Sequence, residues 1–255
     1  MPDSGRRRIV AANWKMHGSM RMVREYVARL APVAGVELVI CPPAPYLWAV
    51  QTLLADHANY VAVGSQDVHE DVNGAFTGEI SAEMVAESGA RWTIVGHSER
   101  RRYAGESDER IAGKIKAAIR AGLLPILCVG ETIEERQSGA AKIAVDGQLK
   151  VIAARISKLD WRHLIVAYEP VWAIGTGYSA SAVQIDEMHT FIREAVQGQL
   201  GESMEMTVLY GGSVNESNAD ELFRSPHVDG ALVGNAALAG DRFVNIAQAL
   251  QRAKG

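Results

Sequence analysis

The chain has 255 residues and a formal net charge of −4, with 48% apolar and 22% charged residues. That length allows one large domain or two small ones, and the apolar share supports a sizeable core. The mild charge balance excludes a broad basic surface for nucleic acid or an anionic membrane, while leaving room for a local site that holds a small anion.

The opening stretch MPDSGRRRIVAANWK has basic residues with no apolar segment or small-residue cleavage site behind them. It does not read as a secretory signal. The run RRIVAAN (7–13) predicts a first strand. MVREYVARLAPVA (22–34) then shows apolar residues at helical spacing. ELVIC (37–41), YVAVG (60–64) and WTIVG (92–96) predict three more strands. SDERIAGKIKAAIRAG (107–122) opens on a Ser cap with acidic residues in its first turn and stops near Gly122, as a helix does. LPILCVG (124–130) and LIVAYE (164–169) follow as strands, and SAVQIDEMHTFIREAVQGQL as a helix. TVLYG (207–211), the helix-like NESNADELFRS and DGALVG (229–234) end the series. No apolar run reaches the ~18 residues of a membrane span. Cys41 and Cys128 lie in strand-like runs and read as free buried thiols, so a cytoplasmic protein is expected. The sequon Asn215-Glu216-Ser217 then carries no meaning.

The eight strand-like runs are continuously apolar rather than alternating, the habit of parallel strands buried on both faces. With helices between most of them, they predict an α/β fold, a closed (β/α)₈ barrel spanning residues 1–255 as one domain. An open doubly wound sheet is the rival. Gly175-Thr176-Gly177-Tyr178-Ser179-Ala180 matches a dinucleotide fingerprint by spacing. It does not follow its strand directly, and no second strand ending in an acidic residue lies about twenty residues on, so it is set aside.

In such a barrel the chemistry gathers at the C-terminal ends of the strands. There the chain places Asn13-Trp14-Lys15, Gly96-His97-Ser98-Glu99, Gly130-Glu131-Thr132, Glu169-Pro170-Val171-Trp172, Gly211-Gly212-Ser213 and Gly234-Asn235-Ala236. Each set alone could be ordinary loop. Barrel geometry brings them to one mouth. Small residues after the seventh and eighth strands let backbone N–H groups approach an oxyanion, which suits a phosphate. A carboxylate near an electrophilic donor suits proton abstraction beside a carbonyl. These residues reach a phosphosugar isomerase or aldolase, without choosing the substrate.

The segments Asn13-Trp14-Lys15-Met16, GAFTGEISA (74–82), GHSERR (96–101), CVGET (128–132), AYEPVWAIGTG (167–177), YGGSV (210–214) and DGALVG (229–234) resemble the triosephosphate isomerase family in order and spacing. The resemblance covers nearly the whole chain. It implies interconversion of dihydroxyacetone phosphate and D-glyceraldehyde 3-phosphate, with no metal or organic cofactor. By the same resemblance Glu169 is the base, His97 a neutral electrophile and Lys15 the positive charge. Asn13 orients and polarises, and Glu99 supports Lys15. Gly175, Ser213, Gly234 and Asn235 hold the phosphate. Pro170, Trp172, Ala173, Ile174, Gly175, Thr176 and Gly177 form a lid, latched by Tyr210 and Ser213, with Trp172 exchanging partners among Tyr168 and Glu131. The loop Asn73 to Glu79, with Phe76 and Thr77, inserts into a second subunit to make a homodimer.

The chain departs from the family pattern at His17, at Asn235-Ala236-Ala237 and at Tyr178-Ser179. Asn235 is expected to tolerate a left-handed backbone there. Isomerisation of a four-carbon phosphoketose, phosphate binding without turnover, and a Schiff-base aldolase on Lys15 stand as alternatives.

Overall fold

The computed structural model describes residues 5–55, 60–174, 180–201 and 204–255. Its strands are β1 (Ile9–Asn13), β2 (Glu37–Cys41), β3 (Val61–Ser65), β4 (Trp92–Val95), β5 (Leu124–Val129), β6 (Ile165–Tyr168), β7 (Val208–Tyr210) and β8 (Gly230–Val233). They pair in parallel in chain order, and β8 closes on β1 with Ala231 opposite Val10. Each strand falls inside or within one residue of an apolar run. The closed ring excludes the open doubly wound sheet.

Helices cover the outside of the ring. Asp108–Arg120 begins where Ser107 accepts the Arg110 N–H. Ala182–Leu200 begins on a reciprocal cap between Ser181 and Gln184. Two helical expectations are corrected. The helix expected over 22–34 covers only Met20–Val27. Pro32 has no N–H to give and its ring would strike the carbonyl four residues back, so the chain must leave the helix before it. The 215–225 stretch forms only Ala219–Phe223. Ahead of it, Asn215 accepts from the Ser217 N–H at 2.9 Å and Asn218 from the Asn215 N–H at 2.9 Å. These turns compete with helix for the same backbone donors. Among the described residues no helix is long and apolar enough to cross a membrane.

Side chains alternate between two apolar clusters. Val10, Ala12 and Trp14 pack outward against the helices. Ile9 and Ala11 pack into the barrel with Val39, Cys41, Ile94, Ile126, Cys128, Ile165, Ala167, Leu209 and Leu232. Cys41 and Cys128 are free thiols in that interior, and burial pushes the Cys41 thiol up to about 12. The period of two therefore carries Asn13 inward after Ile9 and Ala11, and Glu169 inward after Ile165 and Ala167.

Outside the ring, His189 is wholly buried against Tyr168, ring centroids 5.9 Å apart. Its Nδ1 lies 2.9 Å from the His227 carbonyl oxygen and donates to it, which places a proton on Nδ1. Burial pushes His189 down to about 3. Between about 6.5 and that value the unfolded chain binds a proton that the folded chain does not, so stability falls as pH falls. The slope reaches about 1.4 kcal/mol per pH unit. In urea unfolding at fixed protein concentration, the loss between pH 6.5 and 5 should be about 2 kcal/mol smaller in His189→Phe than in the parent. Parallel pH profiles would remove His189 from this role.

Candidate active site

The left-handed backbone at Lys15, φ 52°, is the only such case among the described non-glycine residues. A conformation of this kind costs roughly 1–3 kcal/mol and persists only where its surroundings impose it. Two side chains impose it here. Asn13 Oδ1 accepts the Lys15 N–H at 2.9 Å, and Gln66 Nε2 donates to the Lys15 carbonyl at 2.8 Å and to the Cys41 carbonyl at 2.9 Å. The turn sends the lysine across the mouth, where Nζ meets Glu99 Oε1 at 2.7 Å.

Past β4, His97 caps the short helix Ser98–Tyr103, with its Nδ1 accepting the Glu99 N–H at 3.2 Å. A nitrogen that accepts cannot also carry a proton, so the ring proton lies on Nε2. That nitrogen is 3.0 Å from Glu169 Oε1. The other oxygen, Oε2, accepts the Ser98 N–H at 2.8 Å. Glu169 is only 2% exposed. Burial pushes its carboxyl up, but His97 and Ser98 outweigh that and hold it below the usual range. Burial pushes His97 down, and the Glu169 carboxylate more than offsets it, for a net rise. The cap on Nδ1 opposes full protonation of the ring, because an imidazolium would have to break it.

Glycines make room for Glu169, Gly130 for its backbone and Gly211 for its side chain. A Cβ on Gly130 would lie 1.7 Å from the Glu169 carbonyl oxygen, and one on Gly211 would lie 2.8 Å from Glu169 Cγ. Both follow strand ends, so the chain opens space at the mouth where other barrel positions fill it.

Asn13, Lys15, His97, Glu99 and Glu169 line one cavity of about 590 Å³. Ser213, Gly234 and Asn235 complete its wall. Asn235 opens the tight turn Asn235–Ala237, whose first amides have no partner within the turn. Its backbone is not left-handed, so its tolerance of that conformation is not drawn on. Gly175, Thr176 and Gly177 lie outside the described residues, as do Tyr178 and Ser179.

The profile of the family described as triosephosphate isomerase matches residues 8–250. A triosephosphate isomerase of Xanthomonas campestris pv. campestris (strain 8004) is 46% identical over 249 residues, covering 96% of this chain and 98% of the relative. One of Dechloromonas aromatica (strain RCB) is 46% identical over 248 residues, covering 96% and 99%. One of Stenotrophomonas maltophilia (strain R551-3) is 45% identical over 250 residues, covering 96% and 98%. This chain belongs to the triosephosphate isomerase family.

The segment that the family resemblance marks as a lid starts at Pro170, and Val171–Ala173 form one tight turn. Trp172 Nε1 donates to Glu131 Oε1 at 2.8 Å, and the Tyr168 hydroxyl donates to the same oxygen at 3.0 Å. Arg136 donates to the Tyr168 hydroxyl at 3.0 Å and lies over the Trp172 ring. Ser213 Oγ donates to the Ala173 carbonyl at 3.4 Å, and Ile174 reaches the cavity wall. The Tyr210 hydroxyl sits by the backbone amides of Ala180 and Ser213, and burial pushes it up to about 12. Phe76 and Thr77 are exposed and stand apart from this cavity, with Phe76 stacked on His69 at 4.3 Å.

Three contributors were not read from the sequence: Gln66, the backbone N–H of Ser98, and Arg136. Gln66 stands just past β3, so the same strand-end rule applied to that strand would have found it. Ser98 acts through its backbone, which no residue type announces. Among the described residues no group of three or more His, Cys, Asp or Glu side chains could hold a metal ion.

Gly211→Ala should force Glu169 away from His97. A shift approaching 1 Å is expected to lower kcat on the order of 10²-fold with the fold kept by circular dichroism. An unchanged kcat would mean that the clearance at Gly211 does not set the carboxylate's position.

Proposed function

We propose that this protein interconverts D-glyceraldehyde 3-phosphate and dihydroxyacetone phosphate through an enediolate. The observation that carries the reading is the buried Glu169 carboxylate, 3.0 Å from His97 Nε2, in a cavity shared with Lys15 and the small-residue loops after β7 and β8. Glu169 takes a proton from the carbon beside the substrate carbonyl and returns it to the neighbouring carbon. To reach carbon it must give up Ser98 or His97. The substrate's oxygens are the natural replacement for Glu169 at His97 Nε2–H, which then donates to the developing oxyanion. Lys15 supplies positive charge to the phosphate and the enediolate, Asn13 fixes the Lys15 turn, and Glu99 restrains Nζ.

Ser213, Gly234 and Asn235, with Gly175, hold the phosphate through backbone N–H groups. Pro170, Trp172, Ala173 and Ile174 form the first half of the lid, and Gly175, Thr176 and Gly177 the second. Tyr210 and Ser213 act as its latch. Closure keeps water from the enediolate. Lys15 is ion-paired with Glu99 rather than set in an apolar pocket, which argues against a Schiff-base aldolase. The reading needs no cofactor. The protein works as a homodimer through Phe76 and Thr77 on the 73–79 loop. It acts in the cytoplasm, where two unpaired buried thiols remain reduced.

A coupled assay tests the reaction. Supplied with D-glyceraldehyde 3-phosphate, the protein should form dihydroxyacetone phosphate, seen as NADH oxidation by a reducing enzyme. Glu169→Asp withdraws the base by about 1 Å and should lower kcat on the order of 10²-fold. Absence of turnover by folded protein refutes the proposal, and an unchanged Glu169→Asp rate refutes the role of Glu169. Sedimentation velocity checks assembly, with a dimer expected that Thr77→Arg weakens.

A further inference from the structure

The helix Ser98–Tyr103 carries three consecutive arginines, and two of them are spent on the fold. Arg100 Nε lies 2.8 Å from Asp67 and 2.6 Å from Glu106, both of which also pair with the buried Lys114. Arg101 pairs with Asp108 and donates to the carbonyls of Gly96 and Cys128. Arg102 makes no ion pair among the described residues. Its guanidinium lies over the Tyr103 ring at 5.2 Å, and both residues line the active-site cavity.

The charges of that cavity explain why this matters. Its wall holds four formally charged side chains: Lys15, Glu99, Arg102 and Glu169. Without Arg102 they sum to −1, because Lys15 is set against two carboxylates. A phosphate monoester arrives with a charge of about −1.5 to −2 at neutral pH. The chain as a whole is also negative. A site that must attract such an anion therefore carries a net repulsive wall unless Arg102 offsets it.

We infer that Arg102 is a substrate-capturing residue: it attracts the phosphate to the mouth of the cavity and lowers KM rather than acting on the reacting carbons. Tyr103 keeps its guanidinium at the rim. This placement is exposed enough to meet the substrate before the buried groups do, and its attraction is screened by salt. The inference rests on the triose phosphate reading of the site.

The test is Arg102→Gln, assayed with D-glyceraldehyde 3-phosphate and with unphosphorylated glyceraldehyde. At low ionic strength kcat/KM for the phosphate ester should fall about fivefold, carried mainly by KM. At 0.5 M salt the difference from the parent should shrink to under about twofold. The preference for phosphorylated over unphosphorylated substrate should fall by the same factor as kcat/KM. Competitive inhibition by inorganic phosphate should weaken in parallel. An unchanged salt dependence, or an equal loss on both substrates, overturns the inference. If the parent fails to isomerise trioses, the function reading falls. Calorimetric titration with inorganic phosphate then judges Arg102 separately, since equal affinity in parent and variant overturns its role.

Discussion

The site depends on one constraint, the alternation of side chains along strands in a closed ring. A strand with period two has no freedom to choose which residues face inward once its apolar set is buried. Ile9 and Ala11 fill the barrel, and so Asn13 must follow them inward. Ile165 and Ala167 do the same for Glu169. Parallel pairing in chain order then puts all these ends at one mouth. The ring converts residues separated by more than seventy positions into neighbours, with Lys15 Nζ and Glu99 Oε1 2.7 Å apart and His97 Nε2 and Glu169 Oε1 3.0 Å apart.

A carboxylate as buried as Glu169 carries a desolvation penalty of several kcal/mol unless donors replace water. The donors here are one backbone N–H and one imidazole. Both come from the start of a single short helix, where backbone N–H groups lack helical partners and favour negative charge. The same helix start fixes the His97 tautomer through Glu99 N–H. One element therefore keeps the carboxylate ionised and points the histidine's proton toward it. Lys15 shows the complementary device, a costly backbone conformation imposed by Asn13 and Gln66 so that the ammonium crosses the mouth.

The ring was legible because each strand is a continuous apolar run and each run ends in a polar or small residue. The ends of Asp108–Arg120 were legible in the same way, through Ser107 and Gly122. The Met20–Val27 helix was overestimated because apolar spacing continues through Leu30 and Val33 while Pro32 ends the helix. The polar residues that line the cavity could be read at strand ends. What could not be read were contributions made through backbone or through empty space. Ser98 gives an N–H that any non-proline residue has. Gly130 and Gly211 act by lacking a side chain, and nothing in their identity says which group needs the room.

Glu169 and the turn that follows it share a few residues of chain, so neither can be placed independently. The Glu169 N–H bonds the Val129 carbonyl at 2.8 Å, and the Val171 N–H bonds the Glu131 carbonyl at 3.1 Å. Between these anchors lies Pro170, whose fixed φ leaves little slack. Beyond them, the side chains of Trp172 and Tyr168 converge on a single oxygen of the buried Glu131. The other oxygen, Oε2, has no hydrogen-bond partner among the described residues. An unpaired buried acceptor is costly, and here it leaves Glu131 with spare capacity where Trp172 attaches. If Trp172 leaves Oε1, the Tyr168 hydroxyl still holds that oxygen. The turn at Val171–Ala173 is thus tied to the barrel by the Trp172 indole N–H, the Val171 N–H and the Ser213 hydroxyl, while Glu169 is tied through a strand-end hydrogen bond. Pro170 and these anchors leave only a few constrained residues of chain between the turn and Glu169.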